Sequence, residues 1–353
     1  MMIALQGITG VELCAALPGL AIQDARRVIA QVHRDEDPST PSSGIRRTAR
    51  EAVVAAGHVP SLAIVAERRS QVDPFVKYAL RTADGHVVET VRIPLELAGR
   101  FSVCVSSQVG CALGCTFCAT GRMGLTRNLD TWEIVEQVRI VRRGSEGKKA
   151  HGVVFQGMGE PMANLDRVLA AIRVLSDPSA QAIDARNITV CTSGLPAGIR
   201  RLAAEAPKVR LGLSIASARQ DVRRSLMPIE RAHQLSSDVM AAAREHVAVT
   251  GLAPMWAVTL LAGVNDTLED ARALAELVSG FRTETGASPR LSIIPYNAID
   301  DGPAGQADPF LRASDAKEDA FRDALRARGV FTHKRYSGGS DVAAACGQLA
   351  ARA

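Results

Sequence analysis

The sequence predicts an α/β fold, a partial (βα)6 barrel of the TIM type that follows a small helical N-terminal domain. From residue 100 onward, short apolar and β-branched runs alternate six times with amphipathic helical stretches. This alternation indicates parallel strands joined by helices, and six such units in series favour a partial barrel over a flat sheet. Cysteines and polar residues also follow the strand-like runs, which is where barrel enzymes place their chemistry.

The N-terminal part of the chain divides at polar breaks. Residues 1–75 alternate short helical patterns with the loop-like stretch "RDEDPSTPSSG", and they predict a small helical domain that we expect to contact RNA. Residues 76–99 contain two alternating runs on either side of Asp84-Gly85, which predict a β-hairpin linker. Within its second run, Glu89 lies on an otherwise apolar face, which is unusual for a carboxylate.

The core barrel is predicted within residues 100–340. Its strands are the runs "RFSVCVSS", "GVVFQGMG", "ITVCTSG", "VRLGLSIAS", "MWAVTLLAG" and "RLSIIPYN", each followed by a helical stretch. Asp130 and Glu133 have the spacing of a capping box at the start of the first helix. The chain closes with a glycine-rich turn and a predicted short helix at 341–353 that carries Cys346.

Composition and charge are those of a globular protein. Apolar residues make up 47% and charged residues 22%, and 42 basic against 37 acidic residues give a net charge of +5. No stretch is apolar for long enough to span a membrane, and the N-terminus lacks a basic lead, so we expect a cytoplasmic protein without membrane contact. Basic pairs such as Arg223/Arg224 are expected on solvated helix faces, and the positive balance is compatible with a nucleic-acid substrate.

Three of the seven cysteines, Cys111, Cys115 and Cys118, lie within eight positions after the first predicted strand. In a chain without an export signal, close cysteines indicate metal binding or catalysis more often than disulfides. Structural zinc takes four ligands, and the sequence offers neither a second cysteine pair nor a C-x-x-H motif. A four-iron cluster with three cysteine ligands keeps one iron open for a small molecule. A zinc site or an incidental group of cysteines remains the alternative.

The spacing C-x-x-x-C-x-x-C after the first strand of a predicted barrel, with Phe117 before the last cysteine, resembles the radical S-adenosylmethionine (SAM) superfamily. The resemblance implies a 4Fe-4S cluster on the three cysteines, with SAM chelated at the open iron and cleaved by one electron. It also implies SAM-binding residues at the strand ends: Gly159, Glu160, Ser193, Ser214, Ile215, Ala216 and Asn297. The glycine allows close backbone approach and the carboxylate suits an ammonium group. Alone, "GMGEP" would be an ordinary strand-to-helix turn.

A larger set of motifs resembles the RlmN/Cfr family of ribosomal RNA adenine methyltransferases. The motifs are "ETVRIP", "CVSSQVGCALGCTFCATG", "GMGEP", "TSG", "LMPI", "GVND" and "AACGQL", and the likeness covers residues 86–350. The resemblance implies that Cys346 is methylated by one SAM, that Glu89 accepts a ring proton, and that Cys104 is the resolving thiol through a transient disulfide with Cys346. Taken alone, these three would be an edge-strand carboxylate, a buried small hydrophobe and a helix-packing cysteine.

The sequence thus predicts a radical SAM RNA methyltransferase that acts on carbon 2 of an adenine in 23S ribosomal RNA, and also in transfer RNA. Cfr-like methylation at carbon 8 is the nearer alternative, and a non-catalytic iron–sulfur or zinc RNA-binding protein is the alternative from another class. An external electron donor such as flavodoxin and a monomeric state are expected. The chain departs from the family pattern at Ala216, where His is usual, and at Ala298, where Pro is usual.

Overall fold

The computed structural model describes residues 2–97, 99–145, 149–299, 308–334 and 338–350. The centre of this part of the chain is a ten-stranded sheet, with parallel strands over most of its width and antiparallel strands at one edge. Helices pack on the parallel strands, which confirms the predicted α/β fold. Among the described residues, no helix combines the length and the apolarity that crossing a membrane would require.

A small helical unit forms the N-terminal part of the described chain. It contains β1 (Ile3–Ala4), α1 (Gly10–Ala16), α2 (Ile22–His33), α3 (Arg47–Ala56) and β2 (Gly57–His58). The unit has its own apolar core, which includes Leu13, Ile29 and Val53. The prediction of helical structure is right here, but the helices end at Ala56 and do not extend to residue 75.

The predicted hairpin forms, but it is part of the sheet and not a linker. Three antiparallel strands build this edge of the sheet: β3 (Ala63–Arg69), β4 (Val76–Arg81) and β5 (Val87–Pro94). Gly85 has φ 88°, which suits the hairpin turn between the last two. The first of them lies within the predicted helical domain. It is an edge strand with mostly exposed side chains, so its sequence carries no alternating apolar pattern that would have revealed it.

The parallel part of the sheet contains the six predicted strands and one more. In chain order, the remaining elements are β6 (Phe101–Val105), β7 (Gln108–Cys111), α4 (Ala119–Arg122), β8 (Gly124–Asn128), α5 (Thr131–Arg143), β9 (Ala150–Phe155), α6 (Leu165–Ser176), β10 (Ile188–Thr192), α7 (Pro196–Glu205), β11 (Arg210–Ser214), α8 (Gln220–Leu226), α9 (Met240–Thr250), β12 (Met255–Leu260), α10 (Leu268–Thr285), β13 (Arg290–Pro295), α11 (Asp315–Arg326) and β14 (Thr332–Lys334). The sheet order is β14-β13-β12-β11-β10-β9-β6-β5-β4-β3. The short β14 is the additional strand, and it pairs in parallel with β13.

Local sequence features set where the helices of the barrel begin. The backbone N–H of Asp130 donates to the Glu133 carboxylate at 2.7 Å, as the predicted capping box requires at the start of α5. At the start of α10 the Thr267 N–H donates to the Asp270 carboxylate at 3.1 Å in the same manner. The inner faces of these helices and the strands share one apolar core, in which Trp256 is fully buried. The barrel is therefore a rigid support for the loops at its strand ends.

Cys346 lies in a turn, so the predicted C-terminal helix is wrong. In the segment 338–350, which we call the C-terminal segment, only a short 3-10 turn at Ser340–Val342 is helical. Ala343 and Gly347 have φ values of 51° and 87°, which an α-helix cannot accommodate. The segment combines internal turns with hydrogen bonds to other parts of the chain, for example from the Ala119 N–H to the Gly347 carbonyl at 2.8 Å. These tertiary contacts override the helix propensity of its alanines.

Candidate active site

A cavity of about 860 Å³ opens at the carboxyl ends of the parallel strands, and we call it the strand-end cavity. Its lining includes eight of the residues singled out in the sequence: Cys115, Cys118, Gly159, Glu160, Ser193, Ser214, Ala216 and Cys346. They come from several βα loops that are far apart in the chain. The barrel therefore gathers most of the predicted site residues around one space, as parallel barrels do at this end.

The loop that carries the three cysteines follows β6 and is shaped by the β7–β8 hairpin. Gly110 has φ 76°, and a side chain at this position would collide with the Gly124 carbonyl. The loop is tied to the barrel rim by the Thr116 N–H, which donates to the Leu226 carbonyl at 2.9 Å. Arg122 Nε donates to the Thr116 carbonyl at 2.8 Å. These contacts fix the position of the thiols before any ligand binds.

The three thiols share a poorly hydrated environment. Burial raises the pKa of Cys111 to about 11 and that of Cys115 to about 12, and the negative charge of neighbouring acidic groups adds to both shifts. Burial also raises the pKa of Cys118. At neutral pH the free thiols therefore keep their protons. Thiolates at this place require a cationic partner such as iron, which replaces the protons.

This set of donors fits an iron–sulfur cluster better than a single ion. Within the described ranges, no group of three or more His, Cys, Asp or Glu side chains is gathered closely enough to hold one metal ion. Zinc draws its four ligands to a single point, whereas a 4Fe-4S cluster binds each cysteine through a different iron. Three cysteines that lie on one loop without converging on a point are therefore suited to such a cluster.

Glu160 presents a buried carboxylate to the strand-end cavity. Its Oε1 accepts a hydrogen bond from the Met162 N–H at 3.0 Å, and its Oε2 accepts one from the Ser193 N–H at 2.9 Å. Burial raises the pKa of this carboxyl group. Hydrogen bonds from Ser193, Met162 and the Thr192 side chain oppose this effect, because they favour the charged carboxylate. Gly159 has φ 100°, and a side chain there would come within 2.5 Å of Gln108 Cβ, so only glycine fits.

A buried arginine ties the strand ends together. Arg223 Nη2 donates to the Ser193 carbonyl at 2.7 Å, and its Nη1 donates to the Ser214 carbonyl at 2.8 Å and to the Ile215 carbonyl. Its Nε lies 2.8 Å from Glu230 Oε2, and both side chains are about 1% exposed. Desolvation lowers the pKa of Arg223. The expectation of a solvated basic pair is therefore wrong for Arg223, although Arg224 is exposed.

Cys104 and Cys346 line a second cavity of about 610 Å³, which we call the Cys104 cavity. Its apolar wall includes Val91 and Ile93 of β5. Five residues line both this cavity and the strand-end cavity: Cys118, Gln156, Gly157, Cys346 and Gly347. Cys346 thus lies on the wall shared by the two spaces. No disulfide joins the seven cysteines, all of which are in the described part of the chain.

Glu89 lines a third cavity, of about 620 Å³, on the other side of the C-terminal segment. We call it the Glu89 cavity. The carboxylate is fully buried and forms an ion pair with Lys77 Nζ at 2.9 Å. Its Oε2 also accepts a hydrogen bond from the Ala350 N–H at 2.9 Å. Residues 344–347 line the Cys104 cavity, whereas residues 340–343 line the Glu89 cavity. Cys104 and Cys346 thus line one cavity, and Glu89 lines the neighbouring one.

Three other predicted residues do not line the strand-end cavity: Cys111, Ile215 and Asn297. The Ile215 side chain is buried, its N–H donates to the Ala257 carbonyl at 2.9 Å, and its carbonyl accepts from Arg223. Asn297 Nδ2 lies 3.4 Å from the Cys346 carbonyl that accepts from it, so it contacts the C-terminal segment. Ile215 and Asn297 therefore contact the elements around the strand-end cavity and do not line the cavity itself.

Ala216, which replaces the usual His, has φ 55° and lines the strand-end cavity. Its carbonyl accepts from Asn265 Nδ2 at 2.7 Å. The positive φ is rare for a residue with a Cβ, and this hydrogen bond holds the backbone in place. Ala216 therefore places a small side chain at this point of the cavity wall.

Sequence reasoning missed Lys77, Gln156 and Arg223. Gln156 follows β9 and lines both the strand-end cavity and the Cys104 cavity. Lys77 is a charged residue inside the otherwise apolar run "FVKYAL", and this is a signal that could have indicated a buried partner for Glu89. For Arg223 no local signal separates it from the exposed Arg224.

Comparisons with known proteins agree on one family. The profile of the Radical SAM superfamily matches residues 105–278. A probable RNA methyltransferase of Sorangium cellulosum is 58% identical over 357 residues, which cover 96% of this chain and 90% of that protein. The dual-specificity RNA methyltransferase RlmN of Syntrophobacter fumaroxidans is 40% identical over 289 residues, 81% of this chain and 80% of that protein. The crystal structure of a radical SAM methyltransferase from Sphaerobacter thermophilus is similar with a TM-score of 0.87 and 36% identity, and the match covers 99% of this chain and 100% of that one.

Proposed function

This chain belongs to the RlmN-like family of radical SAM RNA methyltransferases, and we propose that it methylates carbon 2 of an adenine in 23S ribosomal RNA. As a member of this family it is an enzyme that transfers methyl groups to RNA, with a 4Fe-4S cluster and SAM as its cofactors. The names of several relatives include the term dual-specificity, which supports transfer RNA as a second substrate. A flavodoxin-like electron donor and a monomeric enzyme complete the proposal.

The observation that carries the proposal is the position of Cys346 on the wall shared by the strand-end cavity and the Cys104 cavity. An adenine ring carbon is electron-poor, so a methyl cation cannot simply be transferred to it. A methyl group held on a thiol between a cofactor and a second thiol can be activated on one side and released on the other. The two cavities support this division of labour.

Each side of Cys346 offers the groups that its step requires. Cys111, Cys115 and Cys118 would hold the cluster, and the Glu160 carboxylate would bind the ammonium group of SAM. When bound, these cofactors supply the methyl group and the one-electron cleavage of a sulfonium. The Gly157 and Gly159 backbone lets a ligand approach closely. The Arg223 hydrogen bonds hold the carbonyls of Ser193 and Ser214 in place at the strand ends.

Release of the product falls to Glu89 and Cys104. The methyl-derived carbon links the Cys346 sulfur to the adenine, and the one electron that this radical addition leaves on the adduct would return to the cluster held by the three cysteines. Glu89 then accepts the ring proton. The Cys104 thiolate then attacks the Cys346 sulfur, so an S–S bond forms while the S–C bond breaks. The electron pair of the broken bond stays on the carbon, which takes a proton and becomes the methyl group. External thiols return two electrons to reopen the disulfide.

The experiment uses anaerobically reconstituted enzyme with SAM, a reductant and an unmodified 23S ribosomal RNA fragment. Mass spectrometry of the digested nucleosides should detect 2-methyladenosine. A parallel reaction with unmodified transfer RNA tests the second substrate. Detection of 8-methyladenosine instead would assign the chain to the Cfr-like reaction. Absence of any methylated adenosine from enzyme that holds iron and sulfide would refute the proposal.

A further inference from the structure

Lys77 is buried, unlike the other lysines whose side chains the structure describes, and a charged group in the interior requires an explanation. Its residue is 3% exposed, whereas the described side chains of the other lysines, Lys149, Lys208 and Lys317, are exposed. Burying an ammonium group is costly unless it is paired and hydrogen-bonded. Lys77 Nζ lies 2.9 Å from Glu89 Oε1 and donates to the Ala343 carbonyl at 3.2 Å. It therefore bridges Glu89 and the C-terminal segment.

The two oxygens of Glu89 have different partners. Oε2 accepts the Ala350 N–H at 2.9 Å. Oε1 is close to Lys77 Nζ, but the contact lacks the alignment of a hydrogen bond, so its lone pairs have no aligned donor among the described residues. Ala343 and Ala350 stand three residues before and four residues after Cys346. The Lys77–Glu89 pair therefore holds the C-terminal segment on both sides of Cys346.

Among the described residues, the other charged groups around the pair come from two elements. Arg68 of β3 and Asp341 of the C-terminal segment line the same cavity. Asp341 Oδ2 accepts the Gln71 N–H at 2.8 Å, which ties this carboxylate to the loop after β3. On the side of β6 the neighbour is neutral: the Ser106 hydroxyl donates to the Glu89 backbone carbonyl at 2.6 Å. Lys77 is thus the cation in direct contact with the Glu89 carboxylate.

We propose that Lys77 is the positioning residue of the proton transfer: it keeps the buried Glu89 as a carboxylate, and it leaves Oε1 as the atom that accepts the ring proton. The inference rests on the proposed role of Glu89. In the step itself, the proton moves from the ring carbon to Oε1 and its bonding electron pair stays in the ring. Lys77 keeps all three of its protons and transfers none. Its ammonium stabilises the charged form of Glu89 where water cannot.

A second consequence follows from the bridge to Ala343. The C-terminal segment lines both the Glu89 cavity and the Cys104 cavity, and Cys346 lies between Ala343 and Ala350 on it. The contacts of Ala343 with Lys77 and of Ala350 with Glu89 hold the segment beside the proton acceptor. Lys77 therefore links the availability of the proton acceptor to the position of the methyl-carrying cysteine.

The test compares Lys77→Met, Lys77→Gln and Lys77→Arg in the reconstituted enzyme with its RNA. Lys208→Met is the matched control, because it makes the same chemical change at an exposed lysine. We expect Lys77→Met to lower multiple-turnover methylation at pH 7 at least tenfold and to accumulate a covalent RNA–protein adduct on denaturing gels. The carbon–carbon bond forms, but Glu89 without the charge of Lys77 beside it does not accept the ring proton.

The pH profile separates this role from a structural one. In Lys77→Met the acid limb of the rate profile should move to higher pH, so that part of the activity returns at pH 9, and Lys77→Arg should keep the wild-type profile. Lys77→Gln keeps a donor for the Ala343 carbonyl without the charge, and it should behave as Lys77→Met does. Lys77→Gln also provides the uncharged variant for the test if Lys77→Met does not fold.

Equal losses at every pH without an adduct, in folded variants, would overturn the inference. So would wild-type behaviour of both uncharged variants. The proposed function fails separately, if the wild type forms no methyladenosine. With an active wild type, Glu89→Gln should accumulate the same adduct, and this variant provides the reference for the gel.

Discussion

Arg223→Met is expected to destabilise the fold through the carboxylate that it leaves behind. Glu230 is fully buried, and without Arg223 it keeps only the Leu235 N–H, at 3.0 Å from Oε2 and 3.2 Å from Oε1. Removing one partner of a buried ion pair costs about 3–5 kcal/mol. With an unfolding entropy of about 2.1 cal/mol/K per residue, a chain of 353 residues should melt roughly 4–7 °C lower. The carbonyls of Ser193 and Ser214 also lose their donor, so SAM binding should weaken.

Differential scanning calorimetry of the cluster-free proteins measures the change directly. Arg224→Met is the matched control, since Arg224 is exposed on the same helix, and it should melt within about 1 °C of the wild type. The double variant Arg223→Met/Glu230→Met should recover most of the loss, because no buried charge is left without a partner. If Arg223→Met melts with the wild type, or if the double variant is less stable than the single one, the reasoning is wrong.

Two further predictions concern the thiols and the N-terminal unit. Cys104→Ala should trap the RNA on the protein, because the adduct forms but cannot be resolved, whereas Cys346→Ala should give no adduct; a covalent complex from the latter variant on a denaturing gel would contradict the assigned roles. Burial lowers the pKa of His33 to about 3. Below about pH 6.5 the imidazole of the unfolded chain is protonated while the buried ring stays neutral. The free energy of unfolding therefore decreases as the pH falls from about 6.5 toward 3. In urea unfolding, the free energy of unfolding of His33→Gln should therefore fall less between pH 6 and pH 4 than that of the wild type, by up to about 1.4 kcal/mol per pH unit. An equal pH dependence of the two proteins would contradict the lowered pKa of His33.

The sequence reveals those parts of the site that are encoded locally. Cys111, Cys115 and Cys118 stand on one loop, and Gly159 and Glu160 stand on another, so spacing and residue type alone predict their use. The barrel strands carry continuous apolar runs because both of their faces are covered, and this pattern is also readable from the chain. Chemistry that depends on neighbours in sequence was therefore accessible before the structure.

Contacts between distant residues account for what the sequence did not reveal. Lys77 meets Glu89 across two paired strands, and both reach the C-terminal segment more than 250 positions away, a distance that no local pattern covers. Arg223 and Arg224 are alike in sequence, yet in the described structure only the first contacts Glu230 and three strand-end carbonyls. The predicted helix around Cys346 fails for the same reason, since tertiary hydrogen bonds decide its backbone.

The central claim is that Cys346 carries the methyl group on its way to RNA. Peptide mass spectrometry of the reconstituted enzyme after reaction with SAM and reductant, before RNA is added, tests it most directly. The account predicts that the peptide containing Cys346 gains the mass of one methyl group, and that RNA then consumes this methylated form. An enzyme that methylates RNA while Cys346 stays unmodified, or that carries the methyl group on another residue, would contradict it.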